Sequence, residues 1–299
     1  MLLALVGPTA SGKTEAGIAL AEWLGAEVVS VDSMLVYRGM DVGTAKPTPA
    51  RRARVPHHLL DLAEPSERFT VARYQRAARA TLGEVGRPLL VGGSGLYFRA
   101  AVDDLAFPPE DPVVRAALEA EADDLGAEEL YRRLAETDPV AAERIEPGNV
   151  RRTIRALEVT AITGAPFSSF AAAWEVYDPD AVRIAGVRVD AAALRHRIGL
   201  RVQGMLEAGW LDEVRSLVDR GFGAWLTATQ AIGYAELAAH LAGRLALDEA
   251  VEATVRRTKE LARRQTAWFR RDPRVRWFEA GEGGAMDVLD DVRGYLGSA

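Results

Sequence analysis

Five short runs of the chain are mostly apolar: Leu2–Val6, Glu27–Val31, Pro88–Gly92, Ile184–Val189 and Val275–Phe278. Runs of that length predict strands buried on both faces. Between most of them, apolar residues recur every three or four positions, the period of an amphipathic helix. Helices are predicted at Thr14–Leu24 and Phe69–Val85, then at Val113–Leu125 and Ala127–Glu136. The last third is mainly helical, with Val150–Thr163, Ala191–Ala208, Leu211–Asp219, Thr229–Ala239 and Leu247–Phe269. Strands alternating with helices predict an α/β fold, a central parallel sheet flanked by helices. Ligands of such sheets bind beyond the carboxyl ends of the strands.

The pattern breaks after Tyr97. Pro108, Pro109 and Pro112 punctuate it, and core-like composition returns near Asn149. The expected organisation is an α/β core begun by residues 1–101, a small inserted helical lobe at 102–146, and a stretch 147–299 that completes the core and adds a helical part. Charge follows these divisions. The chain carries a formal −6, but Val102–Glu146 alone carries −10 and Val251–Arg276 carries +6. A local basic surface can hold a polyanion on an acidic protein. With 299 residues, 48% of them hydrophobic, the chain has enough for one large core and a smaller lobe. Zero cysteines exclude disulfides and cysteine-ligated zinc. No apolar run reaches membrane-spanning length and no signal-peptide pattern opens the chain, so the expectation is a cytoplasmic protein.

The chemistry starts where the first strand ends. Gly7-Pro8-Thr9-Ala10-Ser11-Gly12-Lys13-Thr14 is a P-loop between a strand and a helix. There, backbone N–H groups converge on a phosphate, Lys13 adds a mobile positive charge and Thr14 offers a hydroxyl to a phosphate-bound Mg²⁺. The second strand delivers Asp32 and Ser33 to the same edge of the sheet. A carboxylate there either holds Mg²⁺ through water or acts as a general base. The run Pro88–Tyr97 leads through Gly92-Gly93-Ser94-Gly95, a second turn whose N–H groups and small hydroxyl can face an anion.

Other segments are suggestive without fixing a chemistry. Tyr37–Lys46 is glycine-rich and polar, and reads as a functional loop. His57 and His58 have no second ligand cluster at metal spacing, which favours a structural role or a hydrogen bond to substrate over zinc. Arg151, Arg152 and Arg155 open a helix, and Arg197 and Arg201 flank the apolar stripe of another. These arginines suit a diphosphate or an RNA backbone, or a solvated surface. Arg263–Arg271 mixes guanidinium forks with Trp268 and Phe269, and Gln265 can read a base edge. No Asn-Lys-x-Asp element is present, which weighs against a GTPase. A P-loop small-molecule or nucleotide kinase, and an RNA-binding module switched by ATP, both remain open at this point.

Taken in order, these segments resemble the tRNA dimethylallyltransferase family, also called tRNA isopentenyltransferase, in its bacterial form. The resemblance is carried by Gly7–Thr14, Val31–Ser33, Val36–Pro47, Pro56–Asp61, Gly92–Tyr97, Arg155–Val159, Ala231–Tyr234 and Arg263–Arg270. The tract from Val31 to Pro47 followed by Pro56-His57-His58 is the most specific part. One departure is Ser94, where the family usually has threonine; another is Ala235, where lysine is common.

The resemblance implies transfer of a dimethylallyl group from dimethylallyl diphosphate to N6 of adenine 37, beside the anticodon, in tRNAs reading codons that start with U. It implies Asp32 as the base that takes the N6 proton and Ser94 as a transition-state or leaving-group contact. It implies that Gly7, Thr9, Ala10, Ser11, Gly12, Lys13 and Thr14, with Arg201, hold the diphosphate, and that Thr14 contacts Mg²⁺. The tRNA contacts implied are Asp32, Ser33, Met34, Leu35, Arg151, Arg152, Arg155, Gln230, Gly233, Tyr234, Arg263, Arg264, Gln265, Trp268 and Arg270. The partner is the anticodon stem-loop, the expected state a monomer without membrane contact. The expected site is a channel with RNA at one mouth and the donor at the other.

Overall fold

The computed structural model describes residues 1–298. Among these, six parallel strands form one sheet in the order β3-β2-β4-β1-β5-β6. They are β1 (Leu2–Val6), β2 (Glu27–Val31), β3 (His57–His58), β4 (Pro88–Gly92), β5 (Val182–Val189) and β6 (Val275–Ala280). Five were expected from their apolar runs. The two-residue edge strand β3 was not, because His57-His58 has no strand pattern of its own and becomes a strand by pairing with Val28 and Val29.

The helices before the sheet's interruption are α1 (Lys13–Leu24), α2 (Pro49–Arg52), α3 (Val71–Glu84) and α4 (Gly95–Val102). A helical segment follows with α5 (Pro112–Leu125), α6 (Ala127–Thr137), α7 (Pro139–Arg144) and α8 (Val150–Thr163). The last five are α9 (Ala191–Glu207), α10 (Trp210–Asp219), α11 (Tyr234–Leu241), α12 (Leu247–Phe269) and α13 (Leu289–Gly297).

The chain divides into two compact units: residues 1–103 with the segment from Asp178 onward, and residues 104–177. The expected lobe boundary at 146 is corrected to 177. The physical reason is α8. Its Ile154, Ala156 and Leu157 share one apolar core with Leu118, Leu130, Leu134 and Ile145, so α8 belongs to the helical unit. Inside that unit the Glu158 carboxylate is buried and accepts from Arg115 at 2.5 Å, Arg155 at 2.7 Å and the Asp111 N–H at 3.0 Å.

In the α/β unit, β1, β2 and β4 present Leu3, Leu5, Val28 and Leu89 to one face. Ile18, Leu20 and Leu24 of α1 and Val292 and Leu296 of α13 pack there. This core fixes the carboxyl ends of β1, β2 and β4 side by side. Three loops therefore emerge together: the P-loop after β1, the Asp32 loop after β2 and the glycine turn after β4. α11 begins at Tyr234 rather than at Thr229, because Gly233 at φ 92° breaks the helical path and its N–H is capped by Glu236 at 2.9 Å.

Candidate functional site

The three loops line one cavity of about 540 Å³ in the α/β unit. Thr9, Lys13 and Thr14 come from the P-loop and the first turn of α1. Asp32, Ser33, Met34 and Leu35 come from the loop after β2, and Gly92–Leu96 from the turn after β4. Arg201 of α9, Gln230, and Arg264, Gln265 and Trp268 of α12 complete the set drawn from the sequence. Asp32 thus shares one cavity with the phosphate loop.

Local geometry explains why the loops hold their shapes. Gly12 sits at φ 84° as the residue before α1, which turns the following N–H groups toward the cavity. Lys13 Nζ donates to the Pro8 carbonyl at 2.9 Å, across its own loop. Burial, with a smaller contribution from the Arg201 charge, brings the Lys13 ammonium down to about 8, while Asp32 opposes the shift. Burial likewise lowers Arg201, again against the pull of Asp32. Lys13, Arg201, Arg257 and Arg264 face the cavity with Asp32 as its carboxylate, an excess of positive charge suited to a diphosphate. Asp32 Oδ1 accepts the Met34 N–H at 2.8 Å, which fixes the carboxylate and leaves Oδ2 for other work.

Ser94 precedes α4 and makes no side-chain cap bond to it. Its N–H donates to the Val31 carbonyl at 3.2 Å, which joins this turn to the Asp32 loop. Gly95 lies so close to the Trp268 ring that a side chain there would displace the indole. Trp268 is 38% exposed and lines the cavity, whereas its neighbour Phe269 is buried against Phe98. The alternation on α12 separates a site residue from a core residue one position apart.

Several site residues drawn from the sequence have different surroundings from those expected. Gln265 Oε1 accepts the Thr9 N–H at 2.7 Å, so this side chain stitches α12 to the P-loop instead of presenting both amide edges to a base. Tyr234 is fully buried, and its hydroxyl donates to Glu213 at 2.7 Å; Gly233 is buried against Trp210. Neither has a surface to offer RNA. Arg155 is engaged with the carbonyls of Pro108 at 2.7 Å and Pro109 at 2.9 Å and with Glu158, so it holds the helical unit together. Arg151 and Arg152 are exposed on the first turn of α8, in that unit, and line no part of the cavity. Ser11 is buried within the P-loop, and it, Gly7, Ala10 and Gly12 shape the loop without lining the cavity. Arg263 on α12 and Arg270 just past its end are exposed and outside the lining.

Two supports take their roles only from the fold. Arg197 donates to the Ala10 carbonyl at 2.8 Å and the Glu282 carbonyl at 2.7 Å, and the Ala285 N–H donates to Ser11 at 2.7 Å. The segment after β6 therefore braces the back of the P-loop. Glu213, in the first turn of α10, accepts the N–H groups of Asp41, Val42 and Gly43 at 2.8, 2.7 and 3.1 Å. In sequence Glu213 looks like an ordinary acid at a helix start. In space it anchors the loop whose Gly43, Thr44 and Ala45 wall the cavity. Lys46 seals the other end of that loop, donating to the Tyr37 carbonyl at 2.5 Å and to Asp61 at 2.7 Å.

A magnesium ion of the P-loop kind takes a threonine hydroxyl and ligand oxygens and keeps several waters. Thr14 on the cavity wall, with Asp32 on the same wall, fits that donor set. Among the described residues no group of three His, Cys, Asp or Glu is disposed to hold a metal by itself. None of the described helices is long and apolar enough to cross a membrane.

The family model described as IPP transferase matches residues 35–272, and that described as isopentenyl transferase matches residues 1–61. The chain is 53% identical to a tRNA dimethylallyltransferase of Streptomyces coelicolor, over 94% of this chain and 90% of the relative. It is 51% identical to one of Kineococcus radiotolerans, over 99% and 95%. A crystal structure of the full-length tRNA isopentenylpyrophosphate transferase from Bacillus halodurans superposes with a TM-score of 0.71 at 38% identity, covering 99% of this chain and 95% of that one. A eukaryotic dimethylallyltransferase acting on tRNA shares the fold, with a TM-score of 0.80 at 22% identity over 98% of this chain and 77% of that one.

Proposed function

We propose, because this chain belongs to the tRNA dimethylallyltransferase family and transfers a dimethylallyl group to tRNA, that the donor is dimethylallyl diphosphate and the acceptor N6 of adenine 37 in tRNAs reading codons that start with U. The observation that carries this reading is the shared cavity of the P-loop, Asp32 and Ser94. The diphosphate lies against the N–H groups before α1, with Lys13 and Arg201 beside it. Thr14 is the residue that would hold Mg²⁺, which when bound neutralises charge on the leaving diphosphate.

Adenine N6 is a weak nucleophile because its lone pair is delocalised into the ring. Its attack requires alignment, loss of a proton and a stabilised leaving group. The N6 lone pair forms the bond to C1 of the donor, the C1–O bond breaks, and diphosphate leaves with that electron pair. The N6 proton goes to Asp32 Oδ2, since Oδ1 is committed to Met34. Ser94 offers its hydroxyl to the reacting groups, with no helix-cap bond competing for it. The base reaches the cavity everted from a single-stranded loop, where unstacking costs least. Gln230, Arg264 and Trp268 line the cavity and supply an amide, a guanidinium and an aromatic face at that entrance.

The test is incubation with an anticodon stem-loop, Mg²⁺ and either dimethylallyl diphosphate or ATP. A mass gain of one dimethylallyl group on adenine 37 is expected with the prenyl donor alone. ATP turnover without that gain would mean phosphoryl chemistry and would overturn the reading.

A further inference from the structure

The donor reading above leaves one part of the cavity without a stated occupant, and the inference here rests on that reading. Alternate residues of a strand share a face, and two residues span about 6.6 Å. β2 therefore lines up Val28, Ser30 and Asp32 on one face, and all three line the cavity. Val91 of β4, in register with Ser30, and His57 of β3, in register with Val28, line it too, with Leu60 and Pro47. The cavity wall thus runs from Asp32 along β2 as a recess between these residues.

The recess is apolar except for two groups. Ser30 is 4% exposed and its Oγ has no hydrogen-bond partner. Its backbone carbonyl is used separately, by the Tyr74 hydroxyl at 2.7 Å. His57 donates its Nδ1–H to the Val55 carbonyl at 2.8 Å, which leaves Nε2 as an acceptor. Burying an unpaired hydroxyl in an apolar wall is costly unless something pairs with it.

The reacting carbon must sit beside Asp32, in line with the diphosphate on the P-loop. A five-carbon chain that leaves this point along β2 ends beside Ser30 and Val91. We propose that this recess seats the prenyl tail, and that Ser30 makes the protein a user of a second donor class: allylic diphosphates that carry a hydroxyl on the terminal carbon of the tail. The Ser30 hydroxyl pairs with the donor hydroxyl, and His57 Nε2 stands at the same end as a further acceptor. The transfer step is unaltered. N6 bonds to C1, the C1–O bond breaks, diphosphate leaves with the electron pair, the proton goes to Asp32, and the terminal hydroxyl passes intact into the product.

The experiment measures kcat/KM for dimethylallyl diphosphate and for 4-hydroxy-3-methylbut-2-enyl diphosphate on one anticodon stem-loop, in the wild type and in Ser30→Ala. The substitution removes an unpaired hydroxyl and adds no bulk. The ratio of the two donors is read within each protein, so a general change in activity cancels. The wild type is expected to form the hydroxylated product, and the hydroxylated-to-plain ratio to fall about tenfold in Ser30→Ala, the size of one buried hydrogen bond. A ratio that Ser30→Ala leaves unmoved overturns the inference. So does a wild type that uses only the plain donor. A wild type that uses neither donor refutes the underlying donor reading instead, and so separates the two failures.

Discussion

Lys13 is the residue whose ionisation the fold changes most usefully. Burial and the nearby Arg201 bring its ammonium down to about 8. The charged form that attracts a diphosphate is therefore present below that value in the free protein and is lost above it. The KM for dimethylallyl diphosphate is expected to rise as pH passes upward through about 8, as binding comes to require uptake of a proton. Lys13→Ala should raise KM at every pH and flatten the profile. A wild-type KM that stays constant from pH 7 to 9.5 would show that Lys13 keeps its charge by other means. Among single residues, Lys13, Thr14, Asp32 and Ser94 were legible in the sequence because loop glycines and strand ends announce them. Ser30 and Glu213 were not. A serine inside a strand and an acid at a helix start have unremarkable local patterns, and only the fold brings them to the site. Arg197 stood out as a cation, but its bracing of the Ala10 and Glu282 carbonyls is visible only in the fold. Tyr234 and Arg155 show the converse. Their family tracts are recognisable, yet burial commits Tyr234, and hydrogen bonds to Pro108, Pro109 and Glu158 commit Arg155, to structural contacts.

At the scale of elements, the loop between Asp32 and Pro47 depends on a contact with a helix far away in sequence. Glu213 of α10 accepts three successive N–H groups of that loop and the Tyr234 hydroxyl. Glu213→Ala would leave those donors to water or unpaired, at about 1–3 kcal/mol for each one that stays buried. Thermal unfolding is expected to drop by several degrees, and KM to rise for both substrates because Gly43–Ala45 walls the cavity. Glu213→Gln, which keeps one acceptor oxygen, should recover part of both effects. Unchanged KM values in Glu213→Ala would make the anchor irrelevant to the site. Strands of apolar composition and helices of regular period were readable from sequence nearly to the residue, as α8 and α12 show. Elements defined by tertiary pairing were not: β3 exists through β2, and the start of α11 is set by a left-handed glycine.

At the scale of the whole molecule, charge is segregated along the chain. The net is −6, yet residues 251–276 carry +6, and Arg263, Arg264, Arg270 and Arg271 are exposed there. Binding of an RNA backbone by such a stretch releases counterions and weakens with salt. Arg264→Ala and Arg270→Ala are each expected to make the plot of log affinity against log salt shallower by about one unit. A slope unaffected by both would move the RNA surface elsewhere on the protein. The domain boundary was the least legible feature at this scale, because proline punctuation and charge mark the start of the helical unit, while its end depends on which core α8 joins. The account as a whole stands on Asp32 acting as a base within reach of a P-loop-bound donor. The most direct measurement is single-turnover transfer by Asp32→Ala with saturating donor, beside a separate titration of the anticodon stem-loop. The account predicts a chemical step slower by about 10²–10⁴-fold with RNA affinity kept within a few-fold. A transfer rate close to that of the wild type, or an equal loss of rate and affinity, would contradict it.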